Sequence, residues 1–163
     1  MANRDRELGY TVHDRVGIPI LRTAGAPERA ALGIAYGDTT GHRHMDLGDV
    51  QLYAYDRPFL TDLAYPQSWA SIGVWEAHWA THNAAWAVLP GDEEPRLAGR
   101  GRLVSHLSLP GLQVLDVEMH RWGREPGRGW RRLGAWMRRL IALVETDADG
   151  VAVIDLSRVR GGT

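Results

Sequence analysis

The chain has no cysteine, no lysine and only one phenylalanine among its 163 residues. Without cysteine there are no disulfides, no thiolate metal ligands and no cysteine nucleophile, and the redox compartment stays open. All 19 cationic side chains are arginine, against 20 acidic ones, for a net charge of −1. That balance argues against a general nucleic-acid binder. No apolar run approaches the roughly 18 residues of a membrane span. The N-terminus, Met1 to Glu7, is charged with no apolar stretch behind it, unlike a secretory signal. With 44% apolar and 24% charged residues, the composition is globular and excludes disorder along the whole chain. The length suits one domain, expected over residues 9–163 with residues 1–8 poorly ordered.

What is abundant is punctuation. The 19 glycines and 8 prolines divide the chain into short apolar segments, the pattern of an all-β protein. Strands are expected at Tyr10–Arg22, Ala30–Tyr36, Val50–Tyr55, Pro58–Ala64, Asn83–Leu89, Gly101–Leu109, Gln113–Arg121 and Val151–Val159. Several alternate with period two: Leu115, Val117 and Met119 interleave with Asp116, Glu118 and His120. Pro110-Gly111 reads as a hairpin turn. Trp130–Glu145 is ambiguous, because Trp130, Leu133, Met137, Leu140, Ile141 and Val144 also fit a helical face. The turn signal at Asp147–Gly150 favours a strand over Leu140–Val144 and leaves Trp130–Trp136 open. The expected architecture is an antiparallel β-sandwich of two packed sheets.

Charge and aromatics are uneven. Arg96 to Leu140 carries ten arginines against Asp116, Glu118 and Glu125, while Tyr36 to Asp62 carries five aspartates against Arg43 and Arg57. The plain account of the basic half is a solvated face; the functional one is a surface for an acidic polymer. Trp69, Trp75, Trp79 and Trp86 flank His82. They suit core packing, and equally the stacking of sugar rings.

The most informative stretch is Gly41-His42-Arg43-His44-Met45-Asp46-Leu47-Gly48. On a strand, His42, His44 and Asp46 would share one face. Neutral imidazoles with a carboxylate make a zinc-binding set, although a His-x-His pair alone is often structural. Asp62 lies in an apolar run, Phe59 to Tyr65, where a carboxylate is costly unless paired or metal-bound. His82-Asn83 opens another apolar segment. One histidine of the pair, with Asp62 and His82, would supply three ligands and leave one open position.

Gly41 to Asp46, Leu52-Tyr53-Ala54, Arg57-Pro58, Asp62 and Thr81-His82-Asn83 together resemble the C-terminal β-sandwich domain of the heparinase II/III-like polysaccharide lyases. The likeness runs, more loosely, from about Gly9 to Gly162. It implies cleavage of acidic, uronate-containing polysaccharides by β-elimination. A base removes the proton beside the uronate carboxylate, and an acid protonates the leaving glycosidic oxygen. By resemblance His42 matches the catalytic histidine, and His44, Asp62 and His82 match the zinc ligands. Asp46 and Asn83 match supporting positions. The zinc, or another divalent ion, would shape the site rather than activate water. The family precedes this domain with an α/α-toroid that supplies the catalytic tyrosine, and continues past it into further strands. Neither has a counterpart here, so the chain is expected to be a truncated piece, inactive alone and dependent on a toroid as partner. The resemblance places it in the cell envelope or periplasm. Two other readings stand beside it. One is a cupin-like metal-binding domain, with Asp49 following His42-x-His44. The other is a non-catalytic carbohydrate-binding sandwich with a structural zinc.

Overall fold

The computed structural model describes residues 10–13, 17–24, 29–37, 46–62, 75, 78–85, 99–125, 129–146 and 149–161. Among the described residues, nine strands form two antiparallel meanders. The first sheet orders β1 (Tyr10–His13), β2 (Ile18–Arg22), β3 (Ala30–Ile34), β4 (Val50–Ala54) and β5 (Arg57–Leu60) side by side. The second orders β6 (Gly99–Leu109), β7 (Leu112–Glu125), β8 (Gly129–Glu145) and β9 (Val151–Arg160). The expected β-sandwich is present.

One apolar core joins the sheets. Leu21, Leu32, Ile34, Val50 and Ala54 face inward from the first sheet. Leu115, Val117, Met119, Met137, Ile141 and Leu143 meet them from the second. Period-two alternation explains this choice of faces, since successive strand residues point to opposite sides. The sheets are also tied by backbone: the Gly101 N–H donates to the Tyr36 carbonyl at 2.7 Å. A Cβ at Gly101 would lie 2.8 Å from that oxygen and 2.9 Å from the Glu118 carbonyl. Only glycine lets these three backbones approach so closely.

Local differences from the sequence expectation have clear causes. Tyr10–Arg22 is two paired strands, not one; Gly17, at φ +72°, sits directly before β2 and takes a conformation no strand continues through. The ambiguous Trp130–Trp136 is strand, part of the 17-residue β8. Asn83–Ala85 is not strand: it follows a single 3-10 turn at Trp79–Thr81, and residues 86–89 lie outside the described set. Both backbone polar groups of Asn83 are committed elsewhere, to Asp49 and Arg139, so it has nothing to offer a ladder.

Among the described residues of the basic half, three arginines have acidic partners. Arg138 grips Asp116 through two bonds, at 2.8 and 2.5 Å, Arg139 grips Asp155, and Arg102 approaches Glu118 at 3.4 Å.

Candidate metal centre

Asp49 is placed by a tight turn. The Asp49 N–H donates to the Asp46 carbonyl at 2.7 Å, across Leu47 and Gly48. Gly48, at φ +87°, occupies the third position, where a type II turn requires a left-handed residue. Leu47 is driven fully into the core. The turn is clamped to β3, since Ala35 N–H donates to the Asp49 carbonyl and Gly48 N–H to the Ala35 carbonyl. Sequence and packing together therefore fix the backbone of Asp49 and bury its side chain.

His82 arrives by a different route. The 3-10 turn before it is capped by His78, whose Nδ1 accepts from the Ala80 N–H at 3.1 Å and whose carbonyl accepts from the Thr81 hydroxyl at 2.7 Å. The chain then bends, and the His82 side chain is wholly buried. Asp62 lies two residues beyond β5, with its side chain one-fifth exposed. Donor atoms of Asp49, Asp62 and His82 all lie within 4.8 Å of one another. These residues come from three separate segments, so their meeting is a product of the fold.

The spacing suits a metal. His82 Nδ1 and Asp62 Oδ1 are 3.6 Å apart. Two ligands each about 2.1 Å from a tetrahedral zinc stand roughly 3.4 Å from one another. The electrostatics point the same way. Burial pushes the Asp49 carboxyl above its ordinary value of 3.8, and the neighbouring Asp62 adds to this. The Asn83 N–H at 2.7 Å, the Gln51 amide and His82 counteract it. Two carboxylates gathered at a buried imidazole are stabilised by a cation between them. The Asp49–Asp62–His82 group is thus able to hold a metal ion through three protein ligands.

The residues expected from the sequence fare differently. Asp62 and His82 are brought together. Asp46 is half-buried and stands outside the group of three, supplying the carbonyl that fixes Asp49. Asn83 meets the site through its backbone, donating its N–H to Asp49. His42 and His44 lie outside the described residues. Asp49 was visible in the sequence only as a cupin-motif position. Its signal was a carboxylate between a Leu-Gly turn and the apolar strand beginning at Val50, a position that burial makes expensive.

An open groove of about 270 Å³ runs over the outer face of the first sheet. Ile18, Ile20, Gly33 and Tyr53 line it together with Asp46 and Asp49, so it reaches the candidate centre. Tyr53, Phe59 and Trp75 are exposed, and Trp75 stacks on His78 with ring centroids 6.5 Å apart. Among the described residues no helix is long and apolar enough to cross a membrane. No family model, curated protein or solved structure matches the chain.

Proposed function

We propose that the chain is the metal-bearing β-sandwich domain of a polysaccharide lyase acting on uronate-containing glycans. The observation that carries this reading is the convergence of Asp62 and His82, singled out in the sequence as metal ligands, beside the buried Asp49. His44 is the fourth ligand in this proposal, and zinc is the metal best suited to an imidazole and carboxylate set. The bound ion would supply fixed positive charge that holds the His42–Gly48 segment and the His82 bend together. His42, two residues before His44, is the proposed proton-transferring group. The turn at Asp46–Asp49 would set where this segment meets the site, and the groove that Asp46 and Asp49 line would give a sugar chain access. Protonation of the leaving oxygen needs a partner helical toroid, so this domain alone is inactive.

The experiment has two arms. The purified chain is titrated with zinc and then with heparan sulfate or alginate oligosaccharides, and the ultraviolet absorbance of an unsaturated uronate product is followed. The expected result is one zinc per chain, lost in His82→Ala, with retention of the acidic glycan and no turnover. Failure to retain either glycan would sink the lyase assignment, and turnover by the chain alone would overturn its dependence on a toroid. A non-catalytic glycan-binding domain is the second reading, favoured by the exposed Tyr53, Phe59 and Trp75. It predicts glycan retention that is insensitive to zinc.

A further inference from the structure

A buried cation reaches the candidate metal centre from the opposite sheet. Arg139 lies on the inward face of β8 and is 6% exposed. Its Nε donates to Asp155 Oδ1 at 2.9 Å, and its Nη2 donates to the other oxygen of the same carboxylate. Asp155 stands on β9, diagonal to Arg139 across the β8–β9 register, where Arg139 pairs with Ser157 and Ile141 with Asp155. The two N–H bonds of Nη1 go elsewhere. One donates to the Gly48 carbonyl, the other to the Asn83 carbonyl at 2.6 Å. Gly48 immediately precedes Asp49, and Asn83 immediately follows His82. One planar guanidinium therefore grips both backbone segments that carry buried members of the metal group.

We infer that Arg139 is a positioning residue for the metal centre, setting the separation of Asp49 and His82 from the second sheet. This rests on the metal-binding reading above. Burying a charge in a sheet core is expensive, and a Leu or Met of similar volume would pack there at lower cost. A merely structural pair with Asp155 would also not need the two carbonyl bonds. The neighbouring residue supplies the comparison. Arg138 makes the same two-pronged contact, with Asp116, on the outer face, and its bonds to Asp116 reach neither loop. The roles of the two partners divide naturally. The guanidinium fork fixes distance in a way a lysine point charge cannot. Asp155 neutralises Arg139, so that the positive charge does not oppose a cation at Asp49 and Asp62.

The test compares the unaltered chain with Arg139→Lys, Asp155→Asn and Arg138→Met. Cobalt(II) serves as probe, read by calorimetric titration and by its visible absorption bands, beside thermal melts. Arg139→Lys and Asp155→Asn are expected to weaken cobalt binding tenfold or more, and Arg139→Lys to shift the bands. Arg138→Met should lose some thermal stability while keeping affinity and bands. Unchanged affinity and bands in a folded Arg139→Lys chain overturn the inference, whatever its melting temperature. Should that variant not fold, Asp155→Asn decides on the same criterion. If the unaltered chain takes up no cobalt, the metal reading fails separately. Positioning is then read from the amide resonances of Asp49 and Asn83 and from the His82 ring. Shifts in Arg139→Lys but not Arg138→Met support it, and equal spectra refute it.

Discussion

Asp49→Asn should stabilise the metal-free chain and destabilise it once zinc is present. The perturbation removes one charge and almost no volume. Burial is the largest penalty on the ionised Asp49 carboxyl, about 2–3 kcal/mol for a polar group taken out of water, and repulsion from Asp62, whose donor atom lies within 4.8 Å, adds a smaller part. Against relief of this penalty, the bond from the Asn83 N–H to Oδ1, 2.7 Å long, becomes neutral, at a loss of about 1 kcal/mol. The net expectation near neutral pH is a gain of about 1–2 kcal/mol, or roughly 3–6 °C in Tm for a chain of this size.

Zinc reverses the order. A site filled at a hundred times its Kd stabilises the folded chain by about 2.7 kcal/mol, and Asp49→Asn forfeits a ligand. The pH dependence carries its own sign. Burial raises the Asp49 pKa above 3.8, so the folded state holds that proton more tightly than the unfolded one. The ionised carboxylate therefore costs stability above the folded pKa, and the cost vanishes as pH falls through it. The advantage of the variant in the absence of metal should shrink in step. Differential scanning fluorimetry with chelator and with zinc, across the acid range, measures all of this. A metal-free variant that melts at or below the parent near neutral pH refutes the reasoning. So does an equal response of both chains to zinc.

Three further outcomes follow from the sandwich itself. Ile141→Ala, at a fully buried β8 position facing Leu115, should cost about 2–5 kcal/mol, read as a lower urea midpoint at constant slope. Gly101→Ala places a Cβ 2.7 Å from Met119 Cγ and 2.8 Å from the Tyr36 carbonyl; it should cost about 1–3 kcal/mol and speed amide exchange at the sheet junction. Glu118 is held below its ordinary value of 4.5, first by its hydrogen bond with His120. Its contribution is present above 4.5 and lost as pH falls through the lower folded pKa. Glu118→Gln should lower Tm at neutral pH by a few degrees at most, and the two melting curves should merge in strong acid.

How much of this was legible depended on whether a residue's role is local. The apolar alternation of β7, with Leu115, Val117 and Met119 inward, is a property of consecutive residues, and it survives folding unchanged. Trp130–Trp136 of β8 stayed open because Trp130, Leu133, Met137, Leu140, Ile141 and Val144 also fit a helical face, and the observed inward row, Ala135, Met137, Arg139, Ile141 and Leu143, is interrupted by a charge. That same charge is the one whose four bonds reach Gly48, Asn83 and Asp155. Asp62 and His82 stood out because a carboxylate in an apolar run and a histidine opening one are locally costly. Asp49 did not, since an aspartate beside a glycine turn is ordinary until Leu47 and the Ala35 clamp bury it. Its cost arises from the tertiary fold, as does Arg139's. Asp49 and Arg139, two of the buried charges among the described residues, thus lie within one hydrogen-bonded segment of each other. Conflicts between local pattern and fold gather at functional sites, and the adjacency of Asp49 and Arg139 sets this centre apart from the rest of the described core.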